Sequence, residues 1–462
     1  VISFAALIRT VKEKVHRLSH ERRRLPFFMR RNLPSVRTTM RNIPPEVSPM
    51  NRIKLLPCLL LLAISSSLFA AEPMLARRHP SQPLGASIIT IGGLFSLTGD
   101  GATLGTTSAA ALDLAQRDIN AEFDELHLPY HVLTAVEDTK LSAAIAPSKL
   151  ESLAARGAHF VIGPQSSAEA AAILGYANSH HIVLISHGST ASSLAIAGDY
   201  LFRLAPNDKL EGAAMAALMH ADGIDTLLPM WRDDAGNRGL HDSTARSFVA
   251  AGGTVLPGVS YDPATTDFSS SVTALAAALR AAHAASPNAH VAVYLASFEE
   301  AASIFDLARL DTDLPGVHWY GGDGVTQSQA LLANSAAAAF AAKTFFTAPN
   351  VGLDASASSR WQPISDEIRA RVGFQPDAYA LSVYDAAWVA ALSAVEASQT
   401  EELLRAAFIR NVQRYWGLTG PTALDEFGDR EFANFDFWTV SSVNGQLQWI
   451  RSAQYSAGHI SK

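Results

Sequence analysis

Residues 159–190 read HFVIGPQSSAEAAAILGYANSHHIVLISHGST. The run FVI is short, apolar and β-branched, the pattern of a buried strand. A Gly163-Pro164 break follows, and two serines then open an alanine-rich segment long enough for a helix. IVLIS (182–186) is a second buried strand. Strand, helix and strand within so few residues form a βαβ unit, which makes the two strands parallel and covers their sheet with helix.

The same alternation extends both ways. Upstream lie ASIITIGGLFS (86–96) as a strand and TTSAAALDLAQRDINAEF (106–123) as a helix. Ala111, Leu112, Ala115 and Ile119 share one face of that helix. YHVLTAVED (130–138) and IAPSKLESLAARG (145–157) supply a further strand and helix. LFRLAPND (201–208) interrupts the cycle, after which a second βα array of similar size begins. TFFTAPNVG (344–352) is another Pro/Gly-marked break, followed by the helical stretch LSVYDAAWVAALSAVEA. FDFWTVSSVNGQLQWI (435–450) reads as two strands about an Asn444-Gly445 turn. Two successive arrays predict an α/β chain of two lobes, each built on its own parallel sheet. In open α/β sheets ligands gather at the carboxyl ends of strands. GPQSSAE, ISHGST and YGGDGV all fall there.

Charge and composition narrow the function. The net charge of −7 conceals an asymmetry, because residues 1–49 carry eleven Lys/Arg against three Glu. From residue 72 onward, 23 basic residues face 40 acidic ones, near −17. A body this acidic argues against nucleic acid as partner, since phosphate neutralisation needs excess Lys/Arg. MNRIKLLPCLLLLAISSSLFAAEP (50–73) has the basic, apolar and small-residue parts of a secretory signal over 50–71. Residues 1–49 are accordingly expected to be an over-extended start, with Met50 the first residue and the mature protein exported. Cys58, the one cysteine, falls within that signal, which leaves no intramolecular disulfide and no thiolate metal site. His180, His181 and His187 lack the spacing and companions of a metal set. No G-x-S-x-G elbow or GxxxxGK[ST] loop suggests an enzyme, and no cofactor is implied.

GLFSLTGDGATLG, FVIGPQSSAEAAA, LISHGSTASSL, YLFRLAPNDKLEG, WRDDAGNRGL, TDFSSSVTAL, YGGDGV, PDAYALSVYDA and GPTALDEFGDR occur in an ordered series from about 87 to 450. The set resembles the type I periplasmic solute-binding proteins of the leucine/isoleucine/valine-binding family. The resemblance implies two Rossmann-like lobes joined by three hinge crossings, at LFRLAPND, at TFFTAPN and near Asn434–Asp436. One lobe would combine 86–205 with 347–433, and the other 206–346 with 434–455. It implies a monomeric periplasmic component that gives an amino acid or close analogue to a membrane ABC permease. A periplasmic sensor subunit for an amide, urea or small organic acid is the alternative.

The resemblance also assigns residues. Ser166, beside Ser167, would grip the ligand carboxylate. Gly188, Ser189 and Thr190 would add backbone N–H groups and a hydroxyl. Asp323 would pair with the ligand ammonium from the opposite lobe, and Phe298 would line the pocket. Leu104 and Gly236 stand where tyrosines are common, which points to an altered side-chain pocket.

Overall fold

The computed structural model describes residues 86–400 and 403–462. The expected over-extended start and secretory signal, with Cys58, lie outside these residues.

The first array runs β1 (Ser87–Phe95), α1 (Ala102–Glu125), β2 (Tyr130–Asp138), α2 (Ala146–Ala155), β3 (Phe160–Ile162), α3 (Ser167–His180), β4 (Val183–Ser186) and β5 (Leu201–Arg203). The five strands form one parallel sheet in the order β2-β1-β3-β4-β5. Burial on both faces explains why β3 and β4 are continuous apolar runs and do not alternate. Leu94, Leu150, Val161, Ile173 and Leu184 belong to one cluster beneath α2 and α3.

The second array comprises α4 (Asp208–Ala221), β6 (Thr226–Arg232), α5 (Ala235–Ala250), β7 (Thr254–Val255), β8 (Val259–Tyr261), α6 (Ser269–Ala285) and β9 (Val291–Ala296). It continues through α7 (Ala301–Ala308), β10 (His318–Gly321), α8 (Gln329–Ala333), α9 (Ser335–Lys343) and β11 (Thr347–Val351). The chain then supplies α10 (Ser358–Val372), α11 (Ala378–Thr400) and α12 (Leu404–Val412) before the short β12 (Trp416–Gly417) and β13 (Gly420–Pro421). It ends in β14 (Phe435–Val443), β15 (Gln446–Ser456) and β16 (His459–Ser461).

This second sheet is mixed. Strands β6 to β11 are parallel, whereas β14, β15 and β16 add an antiparallel edge. Asn444 and Gly445, both at positive φ, close the β14–β15 hairpin. β16 carries the sheet past the expected limit at 455, to residue 461. The segment 347–351 also departs from the expected division, because β11 sits inside the second sheet between β10 and β14. Pro349 reads as a break in sequence. It is tolerated because β11 pairs with β10 only at Thr347, so no parallel ladder needs a Pro349 N–H.

Helices α10 and α11 pack on α1, and α11 also touches β1 and β3 of the first sheet. α11 is long and apolar enough to cross a membrane, but 94% of its most apolar window is buried inside the protein. The chain therefore passes between the sheets three times: after β5, after β11 and before β14. Two of these strands run side by side, with Gly352 N–H donating to the Asn434 carbonyl at 2.8 Å. Arg203 at the end of β5 meets Asp429 through Nε–Oδ1 and Nη2–Oδ2 bonds of 2.6 Å each. Both side chains are only 1% exposed. That pair pins the first crossing to the third.

Candidate functional site

At the end of β3 the chain turns at Gly163, where φ is +110°. A Cβ there would lie 2.2 Å from the Leu94 carbonyl oxygen, so only glycine lets β3 end this close to β1. Ser166 follows in extended conformation as the N-cap of α3. Its hydroxyl accepts from Glu169 N–H at 3.3 Å and donates to Glu169 Oε2 at 2.7 Å. Ser166 N–H also donates to Glu169 Oε2, at 3.0 Å. This reciprocal capping box is worth roughly 1 kcal/mol to the helix. Glu169 is fully buried, and burial raises its pKa against the opposing Ser166 hydrogen bonds.

The end of β4 is equally self-contained. The Ser186 hydroxyl donates to the Pro164 carbonyl at 2.6 Å and accepts from Ser189 N–H at 2.9 Å and Gly188 N–H at 3.4 Å. Ser167 Oγ accepts from the Ser189 hydroxyl at 3.0 Å, Thr190 N–H at 3.2 Å and Ala191 N–H at 3.1 Å. The N–H groups of Gly188, Ser189 and Thr190 thus end on two serine hydroxyls of their own lobe.

Between the strand ends of the two sheets lies a cavity of about 40 Å³. By that measure one water needs roughly 10–15 Å³, so the lobes close on a space of a few waters. Thr103, Leu104, Gln165 and Gly188 face it from the first lobe, and Phe298, Glu299 and Asp323 from the second. Asp377 and Tyr379 enter from the segment leading into α11. No lysine or arginine lines it.

Several bonds cross this cleft. The Tyr379 hydroxyl donates to Asp323 Oδ2 at 2.8 Å. The Thr103 hydroxyl donates to Glu299 Oε1 at 2.5 Å, and Ser328 donates to the same oxygen at 2.6 Å. Gln329 N–H returns a bond to Thr103 Oγ1 at 3.0 Å. Glu299 N–H reaches the Asp100 carbonyl at 3.2 Å.

The electrostatics are dominated by carboxylates. Asp323 is enclosed by protein yet keeps part of its surface on the cavity. Burial pushes its pKa up to about 7, Tyr379 opposes the rise, and the Asp208 and Asp377 charges add to it. Beneath it Glu211, 0% exposed, accepts from Asp323 N–H at 3.2 Å. Burial and then the Asp323 and Asp208 charges hold Glu211 well above the usual carboxylate range. Burial likewise lifts Asp208 and Asp377 to about 6 each. Carboxylates crowded into low dielectric favour either protons or a cation among them.

Of the residues singled out from sequence, Gly188, Phe298 and Asp323 face the cavity. Ser166, Ser167, Ser189 and Thr190 lie buried beside it, engaged in the internal bonds above. Arg232 stacks over the Phe298 ring at 5.6 Å, which holds that ring at the cleft edge. Sequence reasoning missed Gln165, Glu211, Glu299 and Tyr379. Tyr379 lies inside the PDAYALSVYDA block and Gln165 inside GPQSSAE, so position marked both, though neither role was local. His187 is fully buried edge-on to Phe95 at 5.3 Å, and burial pulls its pKa down to about 3. Among the described residues no group of three or more His, Cys, Asp or Glu is placed to hold a metal.

A family model described as periplasmic binding protein matches residues 88–445. An uncharacterized protein of Methanocaldococcus jannaschii is 28% identical over 395 residues, covering 79% of this chain and 92% of that one. Among solved structures, the leucine-binding protein LivK of Thermotoga maritima matches with a TM-score of 0.66 at 19% identity, over 80% of this chain and 99% of its own. LivJ of Streptococcus pneumoniae, in complex with isoleucine, gives 0.64 at 22% identity, over 79% and 100%. A solute-binding protein of R. palustris in complex with benzoate gives 0.65 at 17% identity, over 79% and 96%. At these identities the structural matches establish the two-lobe fold.

Proposed function

The chain belongs to the periplasmic binding protein family, and we propose that it serves as the solute-binding component of an ABC transporter, its cleft capturing a small solute that carries a positively charged nitrogen. One observation carries this reading: Asp323 faces a cavity lined by carboxylates and by no cationic side chain. An ammonium placed there gains a charge-assisted hydrogen bond and relieves the crowding of Asp323 with Glu211, Asp208 and Asp377. Such a bond is worth about 1.5–3 kcal/mol, or roughly ten- to hundredfold in affinity.

The α-amino acids and simple amines both belong to this class and are to be tested side by side. A solute touching Asp323 on one lobe and Gln165 on the other favours the closed arrangement, because only there do both contacts exist. The solute-loaded, closed protein is what a membrane permease would recognise. Export through the segment 50–71 would place it outside the cytoplasmic membrane, where members of this family work.

A thermal-shift screen of amines, amino acids, amides and aromatic acids tests the reading. A tight ligand raises the unfolding temperature by mass action. Stabilisation by nitrogen cations is the expected result, and stabilisation by carboxylic acids alone would refute it.

A further inference from the structure

We infer that the solute is a small primary amine without a carboxylate, because the protein's own Glu169, Ser167 and Ser186 already occupy the strand-end donors that would receive one. The inference rests on the reading of Asp323 as the ammonium partner and narrows it.

Three independent features of the cleft point this way. First, the anion donors at both strand ends of the first lobe have internal acceptors. Ser166 N–H and its hydroxyl both end on Glu169 Oε2, at 3.0 and 2.7 Å. The N–H groups of Ser189, Thr190 and Ala191 end on Ser186 and Ser167 hydroxyls. Second, the opposite lobe seals this corner. A Cβ built on Gly236, near the start of α5, would stand 3.4 Å from Ser167 Oγ and 3.6 Å from Ser167 Cβ. The start of α5 therefore packs to within about one methyl group of Ser167. Third, every charged group that lines the cavity is a hydrogen-bond acceptor, namely Glu299, Asp323 and Asp377. The Gln165 amide nitrogen is committed to the Gly101 carbonyl at 3.1 Å, which leaves its Oε1 buried with no partner. Gln165 is only 5% exposed and lines the cavity together with Asp323 and Asp377.

An ammonium has three donors and no acceptor, which matches such a lining. A carboxylate brought into the same space meets the Glu299, Asp323 and Asp377 carboxylates and no lysine or arginine to receive it. Like charges without compensation are how a site rejects a wrong partner. The raised pKa values of Asp323 and Glu211 agree with this, since both carboxylates are short of a counter-cation.

Matched pairs test the inference, because each differs by a single carboxylate: ethylamine against L-alanine, and 3-methylbutylamine against L-leucine, with benzoate as the anion. Calorimetry on the purified chain at mildly alkaline pH is expected to show an amine binding about ten- to hundredfold more tightly than its amino acid. Glu169→Gln supplies the second measurement. Glutamine at the third helical position still closes the capping box, so the fold is kept while the charge is removed. The variant is expected to bind amines as before and to narrow the amine preference roughly tenfold.

Amino acids binding as tightly as their amines would overturn the inference. The Asp323 reading would still stand if Asp323→Asn abolished that binding. Benzoate binding with amines silent would overturn both readings. An amine preference unchanged in Glu169→Gln would remove Glu169 from its role, and a panel in which nothing binds would likewise count against the inference.

Discussion

Tyr379 at the head of α11 and Asp323 at the end of β10 meet across the cleft, phenol to carboxylate, at 2.8 Å. Tyr379 also packs with Ala205, Val351 and Ala378, a cluster drawn from segments beside two of the three crossings. The group best placed to hold a cation is thus joined to the hinge by one hydrogen bond. On the proposed reading, solute charge and lobe closure are sensed by the same pair of residues.

Asp323→Asn keeps the shape and the bond to Tyr379 but removes the charge. Affinity for cationic solutes is expected to fall about ten- to hundredfold. The fold should be unharmed, because the change removes a carboxylate crowded by Glu211, Asp208 and Asp377. Calorimetry alongside thermal unfolding checks both halves, and unchanged affinity would exclude Asp323 as the cation partner.

The pH dependence has a definite sign. Folding raises Asp323 from 3.8 to about 7, and Asp208 and Asp377 from 3.8 to about 6. Between those values the folded chain holds more protons than the unfolded one, so its stability declines as pH rises through that window. The groups facing Asp323 are the Glu211, Asp208 and Asp377 carboxyls and the Tyr379 phenol. Binding of an ammonium requires the ionised carboxylate and should strengthen over the same range. Thermal unfolding near pH 5 and near pH 8, with and without ethylamine, should therefore show the largest stabilisation by the amine at the higher pH. Greater stabilisation at the lower pH would contradict this.

Arg203→Ala strands Asp429, which is only 1% exposed, without its partner. The expected loss is about 3–5 kcal/mol, the usual cost of leaving one member of a buried pair unpaired. Replacing both, as Arg203→Met with Asp429→Leu, should recover most of it, since a well-packed apolar pair often matches a buried ion pair. Denaturant unfolding of the single and double variants measures the difference. Equal losses in both would mean that the guanidinium contributes mainly through its bond to the Ala191 carbonyl.

Much of the molecule was legible in the chain itself. The alternation of buried strands and helices, the Asn444-Gly445 hairpin and the placing of GPQSSAE, ISHGST and YGGDGV at strand ends all follow from short-range pattern. Each depends on residues within a turn or a pleat of one another. Ser166 and Glu169 also carry the capping signature within four residues of sequence, a local motif. What local pattern cannot show is where a side chain's partner comes from. Pro349 signals a break, yet β11 continues as a strand because the neighbouring ladder leaves its nitrogen unused. Tyr379 and Asp323 are 56 residues apart, and Arg203 and Asp429 are 226 apart. Only the return of the chain at its three crossings brings those groups together. The strand ends that could receive a ligand are thus written in the sequence. Whether their donors are free depended on tertiary packing, which placed Ser167 under Thr190 and Ala191 and left the cavity to carboxylates.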